Sequence, residues 1–470
     1  MKKETISDIM SISIGAAILS LVALYNGFPL VYSDTGTYIS SGFEMFVPMD
    51  RPIVYGIFIR IFSMGLTPWL VIIVQNLMTS FILFTTIKTI IAEHQRRSVI
   101  HVVLTFLLTV FTGIAWYSNQ LMPDYTTPFV ILILFILLCN DRLTIFIKTI
   151  LTLVLVYSFM AHLSHLLLGI SFILFSIIYF LAKRKTMQYA FLKRLIYCNV
   201  IVLMSWATLS IINKVIDKEF SISKGSHVFL MAHLNDCGIL QKFLCDHCQD
   251  ENWNDYPLCK YKDSLPNDAA GFIWSGGIID SCGGWKNSQP AFSRILSANI
   301  SEPRYLVMNL YKFTQYGLVQ LGQNEVGHGL TSYHNTTPQE QIEKWFPLEL
   351  NNYQNSRQNR WNGQTLSFEW INLFQQMLII ISCVILSITL LNHSIAVQIH
   401  QRIKLLLLFI LLGILMNAMI TGGLNSPYGR LQARVIWLLP FGTLLLLFSE
   451  PKLIRQSLKL LTERQEKNHP

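Results

Sequence analysis

The feature that most constrains this chain is the recurrence of apolar runs close to twenty residues long. They extend over approximately 8–26, 66–88, 98–117, 125–140, 142–160, 163–182, 191–214, 368–391, 403–422 and 431–449. About 20 apolar residues in a helix cover the hydrocarbon thickness of a bilayer, and inside lipid a segment must satisfy its own backbone polar groups. The expected fold is an all-α polytopic membrane protein with about ten transmembrane helices and a mixed, mainly helical extracytoplasmic insert. Composition agrees, with 52% hydrophobic residues, 13% charged and a mean hydropathy of +0.43. Soluble chains carry about 25% charged residues. Only "CNDR" separates the fourth and fifth runs, and only "AHLS" the fifth and sixth, so a re-entrant pair stays open there.

Basic residues set the orientation. With the N-terminus inside, "KTIIAEHQRR", "NDR", "AKRKTMQYAFLKR", "HSIAVQIHQRIK" and the tail from "PKLIRQSLK" are cytoplasmic, and all carry Lys or Arg. The opposite short loops "SNQLMPD" and "AHLSH" carry none. This arrangement puts both termini inside a plasma (inner) membrane. Residues 1–214 become an N-terminal membrane module with a first outer loop at 27–64. Residues 215–367 become an extracytoplasmic domain, 368–450 the C-terminal membrane helices, and 451–470 a cytoplasmic tail. The start "MKKETISDIM" precedes a long apolar run with no small-residue cleavage site, and reads as the first span. The net charge of +9 does not point to nucleic acid, because no basic stripe interleaved with aromatics occurs.

The insert is rich in Asn, Asp, Gly, Trp and Tyr. "DAAGFIWSGGIIDSCGGW" is turn-rich, with glycine pairs that interrupt helices, and 289–322 has the spacing of one or two amphipathic helices. It holds five cysteines: Cys237, Cys245, Cys248, Cys259 and Cys282. An oxidising compartment permits disulfides. Cys248–Cys259 is the preferred bridge, because "NWNDYP" can turn the chain back, and the odd count leaves one thiol over. A zinc site built on the Cys-x-x-Cys with His247, and free thiols, are the other readings.

The groups able to do chemistry lie near the outer ends of the runs. Asp34, in "YSDTGTY", is either a helix cap or a carboxylate base held just outside the bilayer. Arg51, Arg430 and Arg434 stand on the side where few basic residues are expected. Arg430 and Arg434 share a helical face at i, i+4 spacing, as an interfacial anchor or as a clamp for a phosphate. Asp124 can cap the fourth run or take part in catalysis. His162 and His165 are expected to hydrogen-bond at a helix junction, with a proton-relay or substrate role as the alternative. Tyr38 completes the set as a possible substrate contact. Phosphate-loop, Gly-x-Ser-x-Gly and His-Glu-x-x-His patterns are absent, so nucleotide hydrolysis is not suggested. No cofactor is expected, and no metal set is supported.

A first span, an outer loop with the acid of "YSDTGTY", then "RP" and a stretch leading into the second span together resemble the GT-C superfamily of membrane glycosyltransferases. That family includes protein mannosyltransferases and aminoarabinose transferases. The resemblance implies catalysis centred on Asp34, with a sugar taken from a polyprenyl-phosphate carrier. The segments "MPD", "HLSH", "YPLC" and "GRLQARVIWLLP" are similar to those of a set of bacterial membrane proteins with no assigned activity. Many GT-C enzymes pair two acids in the first outer loop. Here Asp34 is followed by Thr35, and Glu44 and Asp50 are distant in sequence. Many members also carry their outer domain at the C-terminus, whereas here it falls between the seventh and eighth runs. The expected function is extracytoplasmic glycosyl transfer from a polyprenyl-phosphate-linked sugar to an envelope lipid, glycan or protein. The alternative is a lipid or glycolipid transporter, or flippase, without transferase chemistry. The expected partners are membrane lipid and the sugar-carrying lipid phosphate.

Overall fold

The computed structural model describes all residues except 1, 252, 254, 255, 276, 361–364 and 451–470. The expected cytoplasmic tail lies outside the described residues, as does much of "NWNDYP". Among the described residues the chain is 76% helical and has no strands. The first candidate membrane helix, α1, spans Glu4–Asn26. It is followed by α2 (Thr35–Glu44), α3 (Val54–Ser63), α4 (Trp69–Ile90), α5 (His94–Phe111), α6 (Thr127–Cys139), α7 (Ile145–Ala161), α8 (Leu163–Lys183) and α9 (Tyr189–Asp217). Next come α10 (Ser226–Asp236), α11 (Ile239–His247), α12 (Gln289–Ser301), α13 (Pro303–Gly322) and α14 (Thr337–Trp345). The chain closes with α15 (Glu369–Leu391), α16 (Gln401–Gly423), α17 (Gly429–Ile436) and α18 (Leu438–Ser449).

Among the described residues, seven helical segments are long and apolar enough to cross a membrane: α1, α4, α8, α9, α15, α16 and the continuous α17–α18. The other three apolar runs are also helical. α6 (with its leading turn) and α7 are shorter, and α5 begins with the polar stretch "HQRRS". Burial ranks these helices. Only 22% of the apolar window of α15 is covered by protein, against 83% for α17–α18, which therefore runs through the centre of the bundle. The exposed Leu, Ile and Phe side chains of α15, α8 and α9 are what a lipid-facing rim requires.

Ion pairs divide the molecule into two ends. At one end Asp8 meets Lys88, His94 and Arg97, and Arg402 meets Asp141. At the other, residues 34, 51, 124, 430 and 434 come together.

Residues between α9 and α15 contribute to two cores. Residues 228–305 supply a separate cluster around Phe243, Phe272, Phe292 and Tyr305. Residues 326–371 belong instead to the main core, where α14 packs on α2 through the Phe43–Trp345 stack at 4.5 Å and the Lys344–Glu44 bridge at 2.7 Å. The amphipathic stretch forms two helices, α12 and α13, broken at Glu302–Pro303 because proline cannot donate the next helical bond. The glycine-paired stretch yields three short helices, Ala269–Trp274, Gly277–Ser281 and Gly284–Asn287. Cys248 and Cys259 are bridged, with Cα atoms 5.6 Å apart. The expectation of one leftover thiol is corrected: Cys237, Cys245 and Cys282 are all free, two buried and one exposed.

Candidate functional site

The loop carrying Asp34 is held by side chains acting in place of strands. The chain leaves α1 through Gly27, whose φ of +85° suits a residue without Cβ. Asn26 then takes bonds from the Arg357 and Gln358 backbone nitrogens, at 2.8 and 2.9 Å. Gln358 in turn brackets Val31, accepting from its N–H at 3.0 Å and donating to its carbonyl at 2.7 Å. Leu30 makes an isolated bridge with the 119–121 segment, and Thr35 Oγ1 donates to the Leu121 carbonyl at 3.1 Å. That segment is irregular backbone beside the bundle, where every polar group needs a partner. Gln75 supplies two of them, donating to the carbonyls of Ser118 and Gln120 at 2.9 and 3.0 Å. Asp34 and Asp124 are thus registered against each other by the same pair of loops.

Arg51 is placed by the α2–α3 hairpin. The two helices touch at Gly42 and Gly56, where a Cβ on Gly56 would sit 2.8 Å from the Gly42 nitrogen. Arg430 and Arg434 are placed by α17. Its start is tied down by Gln320, which accepts from Tyr428 N–H at 2.7 Å and donates to Tyr428 O at 2.9 Å. Asn417 donates to Leu431 O at 2.7 Å and to Gln432 Oε1 at 2.9 Å.

Two charge clusters result. In the first, Asp34 lies 3.2 Å from Arg51 Nη2 and 3.4 Å from Arg430 Nη2, and Arg51 also bonds Asp50. These side chains are partly open: Asp34 is 24% exposed, Arg430 16% and Arg51 11%. The Arg430 guanidinium stacks 4.0 Å from the centre of the Tyr32 ring, and Arg51 lies 5.1 Å from that of Tyr38. Burial pushes the Asp34 carboxyl up, but the Arg51 and Arg430 charges outweigh this and hold it below its ordinary value. Burial pushes the Tyr32 phenol up to about 12, so it remains a neutral hydrogen-bonding group. Among the described residues, Nη1 of Arg51 and Nη1 of Arg430 are both buried without a hydrogen-bond partner.

In the second cluster, Arg434 and Asp124 are both 0% exposed and pair at 3.0 Å. Arg434 also donates to Ser164 Oγ at 3.2 Å and Asn417 Oδ1 at 3.3 Å, and has His162 Nε2 3.4 Å away. His165 is fixed by two bonds. Its Nδ1 donates to Ser158 O at 2.7 Å, so its Nε2 accepts from Thr127 Oγ1, also at 2.7 Å. Its ring centre is 5.1 Å from that of His162.

All eight sequence candidates outside the disulfide therefore fall at one end of the bundle, in two neighbouring groups. Neither acid acts as a side-chain helix cap; both carboxylates are turned to arginines. Arg430 and Arg434 share one helix but bond different acids, Arg430 meeting Asp34 and Arg434 meeting Asp124, although the Arg430 charge also acts on Asp124. Asp50, distant in sequence from Asp34, is joined to it through Arg51. Sequence reasoning missed Tyr32, Asn417, Ser164 and Gln358. Tyr32 stands two residues before Asp34, and Ser164 lies within "HLSH"; Asn417 and Gln358 carry no local signal. Among the described residues no group of three or more His, Cys, Asp or Glu gathers to hold a metal.

Below the second cluster an apolar groove of about 310 Å³ lies between α6, α8 and α16, lined by residues that include Val130, Leu168, Phe172, Phe409 and Met416. Leu168 is one turn from His165 and Met416 adjoins Asn417, so the groove begins where the polar cluster ends. No protein family, curated protein or solved structure matches this chain.

Proposed function

We propose that this protein is a membrane transferase that moves a glycosyl group from a polyprenyl-phosphate carrier to an envelope lipid, glycan or protein on the extracytoplasmic side. The reading takes about ten helices as crossing the bilayer, both termini inside, and residues 215–367 outside. The observation that carries it is the meeting of Asp34 with Arg51 and Arg430, a carboxylate and two guanidiniums in a partly open site next to the apolar bundle.

Each part has a task in such a reaction. The acceptor hydroxyl loses its proton to the Asp34 carboxylate as its oxygen bonds to the anomeric carbon. The bond from that carbon to the phosphate oxygen breaks, and the electron pair leaves with the phosphate. Arg51 and Arg430 meet the charge that develops there, with planar donors suited to phosphate. The Arg434–Asp124 pair fixes the helix that presents Arg430. The carrier chain follows the apolar groove.

The test is turnover with lipid-linked sugars, together with mass spectrometry of lipid that copurifies in mild detergent. The expected result is a polyprenyl phosphate, and loss of product formation in Asp34→Asn. Full activity in that variant removes Asp34 from the chemistry.

A second reading, lipid translocation without transfer, is favoured by the fully buried Arg434–Asp124 pair, because ionised groups inside a bundle often line transport paths. Lipid movement across reconstituted vesicles without product formation would support it.

A further inference from the structure

We propose that Asp34 is the built-in occupant of an anion site made by Arg51 and Arg430, and that a phosphate ester entering this site displaces Asp34 and so releases it as a base. The inference rests on the transferase reading for the second half of that statement only.

Charge balance leads to it. The two clusters hold three acids, Asp34, Asp50 and Asp124, against three arginines, Arg51, Arg430 and Arg434. A phosphate added to this neutral set at the edge of an apolar bundle leaves excess negative charge unless one carboxylate gives way. The three acids are not held equally. Asp124 is 0% exposed and Asp50 13%, while Asp34 is 24% exposed. The Asp34 contacts, 3.2 and 3.4 Å, are also longer than the ~2.7–2.9 Å typical of a charge-assisted bond. Asp34 is therefore the acid that leaves at least cost.

The arginines are ready for a different anion. Each already offers Nη2 to Asp34 and keeps Nη1 buried and unpartnered among the described residues. A carboxylate has two oxygens and leaves those donors unused. A phosphate ester has up to three free oxygens and can take them. The aromatic rings of Tyr32 and Tyr38 hold the guanidiniums in place while the anion changes.

Displacement alters Asp34 in the direction the chemistry needs. Facing Arg51 and Arg430 it is a weak base. Moved off them, it loses the two charges that offset its burial, keeping only the nearby Ser33 hydroxyl as a donor, while the Asp124 carboxylate still disfavours its charge. Phosphate binding and base activation become one event, so the acid is not switched on in an empty site.

The test is affinity for geranylgeranyl phosphate in detergent micelles, measured for the unaltered protein, Asp34→Asn and the double variant Arg51→Gln/Arg430→Gln. Geranylgeraniol and glycerol phosphate serve as the uncharged and the soluble controls. Asp34→Asn removes the competing charge and should bind the lipid phosphate about tenfold more tightly, while the double variant should lose binding. The pH up to which a hydrophobic carbodiimide labels Asp34, a reaction that needs a protonated carboxyl, should rise when the phosphate binds. If the unaltered protein binds the lipid phosphate but Asp34→Asn binds no better, displacement is wrong and the donor reading stands. If Asp34→Asn gains affinity but no sugar is ever transferred, displacement stands and the transferase reading fails. Equal gains with glycerol phosphate assign the site to a soluble ester, and no binding by any form overturns both.

Discussion

The Arg434–Asp124 pair offers the sharpest test of how this site is built. Both side chains are 0% exposed, and Arg434 spreads its donors over Asp124, Ser164 and Asn417. Replacing Arg434 with Met fills similar volume but removes the arginine bonded to a carboxylate that water cannot reach, leaving the Arg430 charge alone to offset it. Removing one partner of a buried pair costs about 3–5 kcal/mol, and the lost bonds to Ser164 and Asn417 place Arg434→Met toward the upper end. Asp124→Asn keeps one acceptor and should fall toward the lower end. The double variant carries neither charge, so its cost should be well below the sum, with an interaction energy of about 3 kcal/mol. Equilibrium unfolding of the four proteins in mixed micelles titrated with dodecyl sulfate, followed by tryptophan fluorescence, measures the cycle. If the single variants each lose less than about 1 kcal/mol, the scale of an exposed pair, or if their costs simply add, the pair is solvated and is no strut.

Further outcomes follow from the same geometry. Asp34→Asn should cost about 1 kcal/mol or less in that assay, because its pairs are partly exposed, and under the proposed transferase function it should abolish transfer. Its carboxyl is held below the ordinary value, so its contribution is complete above the unfolded value of about 3.9 and is lost as pH falls through the folded one. The stability difference between the unaltered protein and Asp34→Asn should therefore be constant from pH 5 to 8 (the range well above ~3.9) and shrink below about pH 4. Gly56→Leu should split the α2–α3 hairpin, lower thermal stability and weaken lipid-phosphate binding through Arg51, read by the same affinity assay. Replacing Cys248 and Cys259 with Ser opens a loop of sequence separation 11 and should cost the region around Phe243 about 3 kcal/mol, seen as faster proteolysis there.

Much of this site could be read from residue types and positions. Ionisable side chains beside apolar spans are costly, so Asp34, Arg51, Asp124, Arg430 and Arg434 stood out without any knowledge of contacts. Which acid meets which arginine could not be read, because pairing is decided by loop register set elsewhere. Gln358, a polar residue in an unremarkable segment, brackets Val31 across 327 positions. The i, i+4 spacing of Arg430 and Arg434 correctly placed them on one helix. It was silent about the two acids waiting on different loops. α3 escaped the span count because ten residues are too few to cross, yet it carries Gly56 and so positions Arg51. The region between α9 and α15 shows no compositional break where its two cores divide, since both draw on Phe, Tyr and Trp from the same polar-aromatic mix.

The distance along the chain between partners has a consequence for biogenesis. Asp34 meets Arg51, made soon after it, and gains Arg430 only 396 residues later, whereas Asp124 is made 310 residues before Arg434, the arginine it pairs with. At roughly 5–20 residues per second, Asp124 spends about 15–60 s in the nascent protein before that arginine is made. During that interval the early helices must tolerate one carboxylate without its arginine, and arrival of the last helix is the step that closes the circuit. A ribosome stalled before residue 434 would leave Asp124 without its partner, a chemical mark that separates unfinished chains from finished ones.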